Sequence, residues 1–225
     1  HSPDHTTKQL VTAGISLAVS ENSLPVQLYA GHVLPLLEKG VAVIYTPSIQ
    51  STSYKVYNCS KLRGLPDLIR NVVKKDFLLI EPTLDKSAKN QGLYQYLYES
   101  VAPLGITDRK LIKKASKAGW ECMNNFSSMT LSGVEFNIAL KNVINGKTVS
   151  YKNDDEYPIH VAVISHGYNL YDGHSSMRAL KKLKKLGAKT FTAENLTKQQ
   201  MTEGIKYLST VLYWANENEM RGAAG

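Results

Sequence analysis

The chain is poor in cysteine, with only Cys59 and Cys122 in 225 residues. That excludes a disulfide framework and makes a reducing, cytoplasmic setting the expectation. Long apolar runs are also lacking. No stretch approaches the roughly 18 residues a membrane span needs, and the polar start HSPDHTTKQL carries no signal peptide. No membrane partner is therefore expected. Acidic residues are the minority, 19 against 27 lysines and arginines, for a formal net charge of +8. Such a balance favours anionic partners such as nucleic acid, phosphates or coenzyme A, or serves only to keep the surface soluble. No aromatic-plus-arginine cluster marks a nucleic-acid face, so nucleic acid is not an expected partner. GxGxxG, P-loop, HExxH and GxSxG motifs are absent, and no acidic pair stands at glycosidase-like positions.

What is there reads as alternating strands and helices. Residues 6–20 place Val11, Ile15 and Val19 on one helical face. Asn22 or Ser23 is a cap for a second helix that runs to Lys39 and stops at Gly40, with Pro35 expected to kink or shorten it. VAVIYTP (41–47), FLLIEP (77–82), IHVAVIS (159–165) and AKTFTA (188–193) read as strands, the first two in the doubly buried pattern of parallel sheets. PDLIRNVVKK reads as a helix from Pro66. In HSSMRALKKLKKL (174–186), Met177, Leu180 and Leu183 share a face. The middle, 91–146, is helical by period, and 145–158 reads as a polar linker. The expectation is α/β with two small lobes, 1–90 and 157–225, and a helical connecting section with linker over 91–156.

Ligands in open parallel sheets sit beyond the strand carboxyl ends. Pro47–Gln50, Glu81–Thr83 and Ser165–Asn169 occupy such ends. SHGYNLYDGHSSM is the richest, and Gly173–Ser176 would lie at a helix N-terminus able to hold an anion. A second reading stays open: Asp172 or Ser175 only caps the helix and Tyr168 packs. His32, alone in a helix, fits a structural role as well as a binding one. Cys122 reads as a small packed residue beside Trp120 and Met123. Cys59, ahead of a Gly-Leu-Pro helix entry, is placed where a thiol pKa would fall, yet one thiolate cannot hold an iron–sulfur cubane.

Five segments together resemble one family. They are LPVQLYAGHVLPLLEKGVAVIYTPSI (24–49), YNCSKLRGLPDLIR (57–70), HVAVISHGYNLYD (160–172), LKKLKKLGAKTFTAENL (180–196) and LYWANENEMRGAAG (212–225). The chain is similar to proteins related to the ATP-dependent activases of 2-hydroxyacyl-CoA dehydratases and to the dehydratase subunits. The resemblance implies two Rossmann-like lobes with parallel sheets and a cleft between them. In the dehydratases that cleft holds a 4Fe–4S cluster on cysteines and receives an acyl-CoA, and the activase ATPase supplies one electron. Many relatives are long fusions, and His1 without a preceding methionine suits a fragment of one.

Carried over by position, the resemblance makes His32, Ser48, His166, Tyr168, Asn169, Tyr171 and Asp172 candidate ligand-binding residues, beside Ser175 from the helix N-terminus read above, and Cys59 a candidate metal ligand. Leu24 stands where relatives have a cysteine, Gln27 where they have a lysine, and Ser60 follows Cys59 in place of proline. The expected function is a dehydratase-like module. It would bind an acyl-CoA-like or phosphate-bearing ligand, or an activase ATPase domain or dehydratase subunit, with no complete iron–sulfur cluster of its own. The alternative is a 2-hydroxyacyl-CoA dehydratase or ATP-dependent reductase whose 4Fe–4S cluster is completed by another chain.

Overall fold

The computed structural model describes residues 5–18, 22–89, 92–150, 157–208 and 215–225. These residues fall into two compact units, the first within His1–Ile112 and the second within Lys113–Leu212 and Asn216–Gly225. Asp154–Glu156, the acidic end of the linker, lie outside the described residues.

The first unit opens with two helices, α1 (Lys8–Leu17) and α2 (Leu24–Glu38). The Thr7 hydroxyl accepts the amide of Leu10 and satisfies one of the donors a helix start leaves unpaired. Pro25 sits in the first turn of α2, where its missing N–H costs nothing. Pro35 does not shorten α2. The helix continues through it to Glu38, and Gly40 at φ +80° ends the turn that follows. The two helices meet at glycines: a Cβ on Gly14 would stand 2.1 Å from the carbonyl oxygen of Gln27. One on Gly31 would stand 2.6 Å from that of Leu10.

Strands β1 (Val43–Tyr45) and β4 (Leu78–Ile80) form a parallel pair, with Val43 opposite Leu78 and Tyr45 opposite Ile80. The elements between them are β2 (Ser48–Ser53), β3 (Val56–Tyr57), α3 (Ser60–Arg63) and α4 (Leu65–Val72). Next come β5 (Thr83–Asp85) and α5 (Leu93–Val101). The core of this unit joins Ala18, Ala30, Val33, Ile44, Ile69 and Val73. Each fully buried Ile or Val there contributes roughly 1.5–3 kcal/mol relative to exposure. The two-stranded sheet does not bury both faces. Ile44 and Ile80 are buried, but Tyr45 is 46% and Leu78 44% exposed, which corrects the doubly buried reading.

A second sheet, in the order β3-β2-β5, was not expected from the sequence. β2 pairs with β5 in parallel and with β3 antiparallel. The first residues of β2 are Ser48–Gln50, read from sequence as the segment beyond the carboxyl end of the preceding strand. SIQSTS is polar and lacks the apolar alternation that marks a half-buried strand.

The second unit contains most of α6 (Arg109–Leu131), whose first turn is capped by the Asp108 carboxylate at the amides of Lys110 and Leu111. α7 (Phe136–Ile144) follows, and Met129, Val134 and Ala139 form a small core with Phe126, Val143 and Val149. β6 (Ile159–Ala162) and β7 (Ala188–Phe191) pair in parallel. Between them lie α8 (Gly167–Leu170) and α9 (Ala179–Lys185); α10 (Lys198–Leu208) and α11 (Ala215–Ala224) complete the chain. The fold is mixed α/β with small parallel sheets, as the alternation of apolar runs and periodic segments indicated.

The helix read at 174–186 begins only at Ala179. Asp172 explains the delay. Its Oδ1 accepts the amides of His174 (3.0 Å) and Ser175 (2.7 Å), and the Ser176 hydroxyl donates to its carbonyl (2.7 Å). These local bonds compete with helical ones. Met177 and Arg178 then take left-handed φ values of 49° and 56°, and Met177 leaves the apolar face to stand 74% exposed. Gly173–Ser176 are therefore not a helix N-terminus, and the amides of His174 and Ser175 are turned to Asp172 rather than left to an anion.

Candidate functional site

β7 ends at Phe191 and the chain turns at once. The Thr192 amide donates to Asn195 Oδ1 (2.8 Å), and Asn195 Nδ2 donates to the carbonyl of Thr130 (2.7 Å). That reciprocal Thr-x-x-Asn box fixes Glu194 beyond the strand's carboxyl end, where parallel sheets place their ligands. The Tyr171 hydroxyl donates to the Glu194 carboxylate and lies 3.0 Å from Thr192 Oγ1. The Tyr171 ring stacks on Phe136 with centroids 3.8 Å apart and planes within 8°. Phe136 in turn meets Phe126 edge-on at 5.1 Å. Burial first, and then the bond to Glu194, push the Tyr171 phenol well above the usual tyrosine range.

Around this group lies a cavity of about 330 Å³. Its walls include Phe136 and Asn137 from the start of α7, Tyr171, Lys181 and Lys184 from α9, and Glu194. Lys184 pairs with Glu135 at 2.6 Å, whereas Lys181 has no ion-pair partner among the described residues. The cavity thus offers one aromatic wall, a lysine without an ion-pair partner among the described residues, the Glu194 carboxylate, and hydroxyl and amide groups from Thr190 and Asn137. Volumes of this order sit at the lower end of those that hold small ligands, roughly 300–1,000 Å³.

Of the candidate residues in the second unit, Tyr171 lines this cavity; His166, Tyr168, Asn169, Asp172 and Ser175 do not. The His166 and Tyr168 rings stack on each other at 4.9 Å, with Tyr168 41% exposed. Asn169 belongs to the short helix α8, where its amide closes the first turn on the His166 carbonyl. Ser175 Oγ is buried without a hydrogen-bond partner among the described residues. Phe136, Lys181, Lys184 and Glu194 were not singled out by sequence reasoning. The lysines look like one solvated face of KKLKK, and Phe136 like one more apolar helical position. The usable signal was the Thr-x-x-Asn spacing directly after AKTF.

In the first unit, Ser48 and Cys59 bracket the one-turn helix α3. The Ser48 hydroxyl donates to the carbonyl of Arg63 (2.8 Å) at its end and accepts from Gln50 Nε2 (2.5 Å). Arg63 Nε donates back to Gln50 Oε1 (2.5 Å). Cys59 caps the start, half-buried, without a side-chain capping bond. His32 Nε2 lies 3.1 Å from the Thr6 hydroxyl. Ser51 Oγ donates to Asp85 Oδ1 (2.5 Å), and that bond, helped by the amides of Ser87 and Ala88, holds Asp85 below the usual carboxylate range against burial. Cys122 is in α6 as expected but is exposed rather than packed, as are Trp120 and Met123 beside it.

A second cavity, of about 370 Å³, opens in the first unit past the end of β4, among Leu79, Glu81, Gln95, Tyr98 and Glu99. Its charged lining is acidic. Glu99 accepts the Thr83 amide (3.0 Å) and Gln95 Nε2 (2.8 Å), and Glu81 pairs with Arg70. An anion would meet repulsion here.

Among the described residues, no three His, Cys, Asp or Glu side chains gather as a metal site, and no helix is long and apolar enough to cross a membrane. No curated protein and no solved structure matches the chain. A family model does, over residues 1–196, under the description "CoA enzyme activase uncharacterised domain (DUF2229)". That span covers four of the five segments that carried the resemblance and stops before LYWANENEMRGAAG. The chain belongs to this family of CoA-enzyme activase-related domains.

Proposed function

We propose that this domain is a dehydratase-like module that binds one end of an acyl-CoA-like or other phosphate-bearing ligand in the Tyr171 cavity. The observation that carries the reading is Lys181. It is a cation without an ion-pair partner among the described residues, on the wall of an aromatic cavity beyond a parallel strand, in a CoA-enzyme activase-related chain. Asn137 and Thr190 supply amide and hydroxyl partners for a pantetheine-like arm, and Lys181 a partner for a phosphate. The volume suits part of such a ligand rather than the whole. Titration calorimetry with coenzyme A is expected to detect binding that Lys181→Glu weakens about tenfold, or about 1.4 kcal/mol. Coenzyme A that does not bind at millimolar concentration, or binds the variant equally well, would sink the reading.

By the same kinship, a CoA enzyme is the protein partner, either through an activase ATPase domain or through a dehydratase subunit.

The donor set does not fit a 4Fe–4S cluster. Such clusters take about four ligands, usually thiolates. The first unit has one cysteine, Cys59, flanked by Ser60 and a Ser48 whose hydroxyl is already engaged with Arg63 and Gln50. Anaerobic reconstitution of the isolated chain with iron and sulfide is therefore expected to leave well under one cluster per chain. Stoichiometric iron and sulfide on a monomer, lost in Cys59→Ala, would reverse this and favour catalysis by a cluster.

A further inference from the structure

α6 is, with the shorter α9, strongly cationic. RKLIKKASKAGWECMNNFSSMTL carries Arg109, Lys110, Lys113, Lys114 and Lys117 against a single acid, Glu121. At about 100° per residue, the five cations and Trp120 fall within an arc of about 140°. Lys113, Lys114 and Lys117 are exposed and have no ion-pair partner among the described residues. Trp120 is 52% and Met123 56% exposed, neighbours one turn apart. From Lys113 to Trp120 the row is about 10 Å long. None of these residues lines either cavity described above.

We infer that this row is a docking surface for a protein that presents carboxylates around an apolar notch. Unpaired cations in line select an anionic partner, and their self-repulsion along the helix is relieved when one binds. A helix face without a cavity suits a macromolecule better than a small ligand. Trp120 beside Met123 gives the apolar anchor that interfaces concentrate their affinity on, with cations at its rim. Nucleic acid would need further aromatic stacking residues and arginines, and the row has only Trp120 and, among its five cations, the single arginine Arg109. The inference rests on the protein-partner half of the reading above. The two fail differently, because the probe below is synthetic and a wrong identity for the natural partner leaves its result unchanged.

The test uses a fluorescein-labelled amphipathic peptide of glutamate and leucine, about 18 residues long, with anisotropy as readout. A Trp214→Phe background leaves Trp120 as the sole tryptophan. The peptide should bind and shift Trp120 emission to shorter wavelength, and its affinity should fall with added salt. Binding should weaken at least tenfold both in Lys113→Glu/Lys114→Glu/Lys117→Glu and in Trp120→Ala, each with unchanged circular dichroism. If the triple reversal loses helicity, the corresponding Lys→Gln triple is read instead. Absence of binding, binding unaffected by either variant, or tighter binding to duplex DNA or to phosphatidylglycerol vesicles than to the peptide would overturn the proposal.

Discussion

Gly14→Ala is expected to destabilise the first unit by about 2–3 kcal/mol, although alanine is the better helix former. Alanine gains about 1 kcal/mol over glycine in a helix interior. Against this, its Cβ would come 2.1 Å from the Gln27 carbonyl oxygen and 2.8 Å from the carbonyl carbon. Both are backbone atoms of α2, so no side-chain rotation relieves the clash and the helices must separate. Separation loosens the packing of Leu10, Val26 and Leu28, each now buried. Overpacking of this kind costs typically 1–3 kcal/mol, and a backbone obstacle puts it at or above the top of that range. Gly119→Ala is the control. It is also helical, but nothing lies within 4 Å of its would-be Cβ, so it should stabilise by up to about 1 kcal/mol. Urea denaturation of both variants checks the pair. Equal effects would mean that α1 and α2 do not cross at Gly14.

Tyr171→Ala is expected to cost the second unit about 3 kcal/mol, and Tyr171→Phe about half of that. The alanine variant loses the ring stacked on Phe136 and opens a void beside the cavity. The phenylalanine variant keeps the stack and loses only the donor to Glu194, a bond to a charged acceptor worth roughly 1.5–3 kcal/mol. The phenol also ties stability to alkaline pH. Its folded pKa is raised above the ordinary 10.0, by burial first. A group raised in this way contributes in full below its unfolded pKa and loses that contribution as pH rises through the folded one. The wild type should therefore lose stability above about pH 10, and Tyr171→Phe should lose less there. Thermal melts from pH 7 upward would show it. Parallel curves for the two proteins would mean that Tyr171 is not held by Glu194.

The strands that sequence reading found are those rich in apolar and β-branched residues. VIY, LLI, IHVA and AKTF are short apolar runs between periodic segments, and each has a parallel partner. The sheet it missed is held by other means. Ser51 reaches Asp85 across 34 positions, and Asn58 Nδ2 donates to the Ile49 carbonyl (2.9 Å), bonds that leave no periodic trace. The late start of α9 was hidden for a related reason. The spacing of Met177, Leu180 and Leu183 continues a helical period while Asp172 recruits the amides that helix would need. Tyr171 was singled out by its motif, but the cavity around it takes Phe136 from 35 residues upstream and Glu194 from 23 downstream. Spatial neighbours so far apart in the chain carry no mark of one another when only one sequence is read.

The parallel pairing of β1 with β4 and of β6 with β7 also sets an order in time. Closing about 35 residues between Val43 and Leu78 costs roughly 3 kcal/mol of chain entropy before any strand bond is made. α1 and α2 close about half that length, 17 residues from Gly14 to Gly31, at about 0.6 kcal/mol less, and contacts more local in sequence form faster than distant strand pairs. As the chain emerges from the ribosome, the α1–α2 pair can therefore assemble long before β4 exists. β1 waits as an unpaired edge until residue 80 has been made. During that interval Val43–Tyr45 lacks a partner on either side and is most open to pairing with another chain.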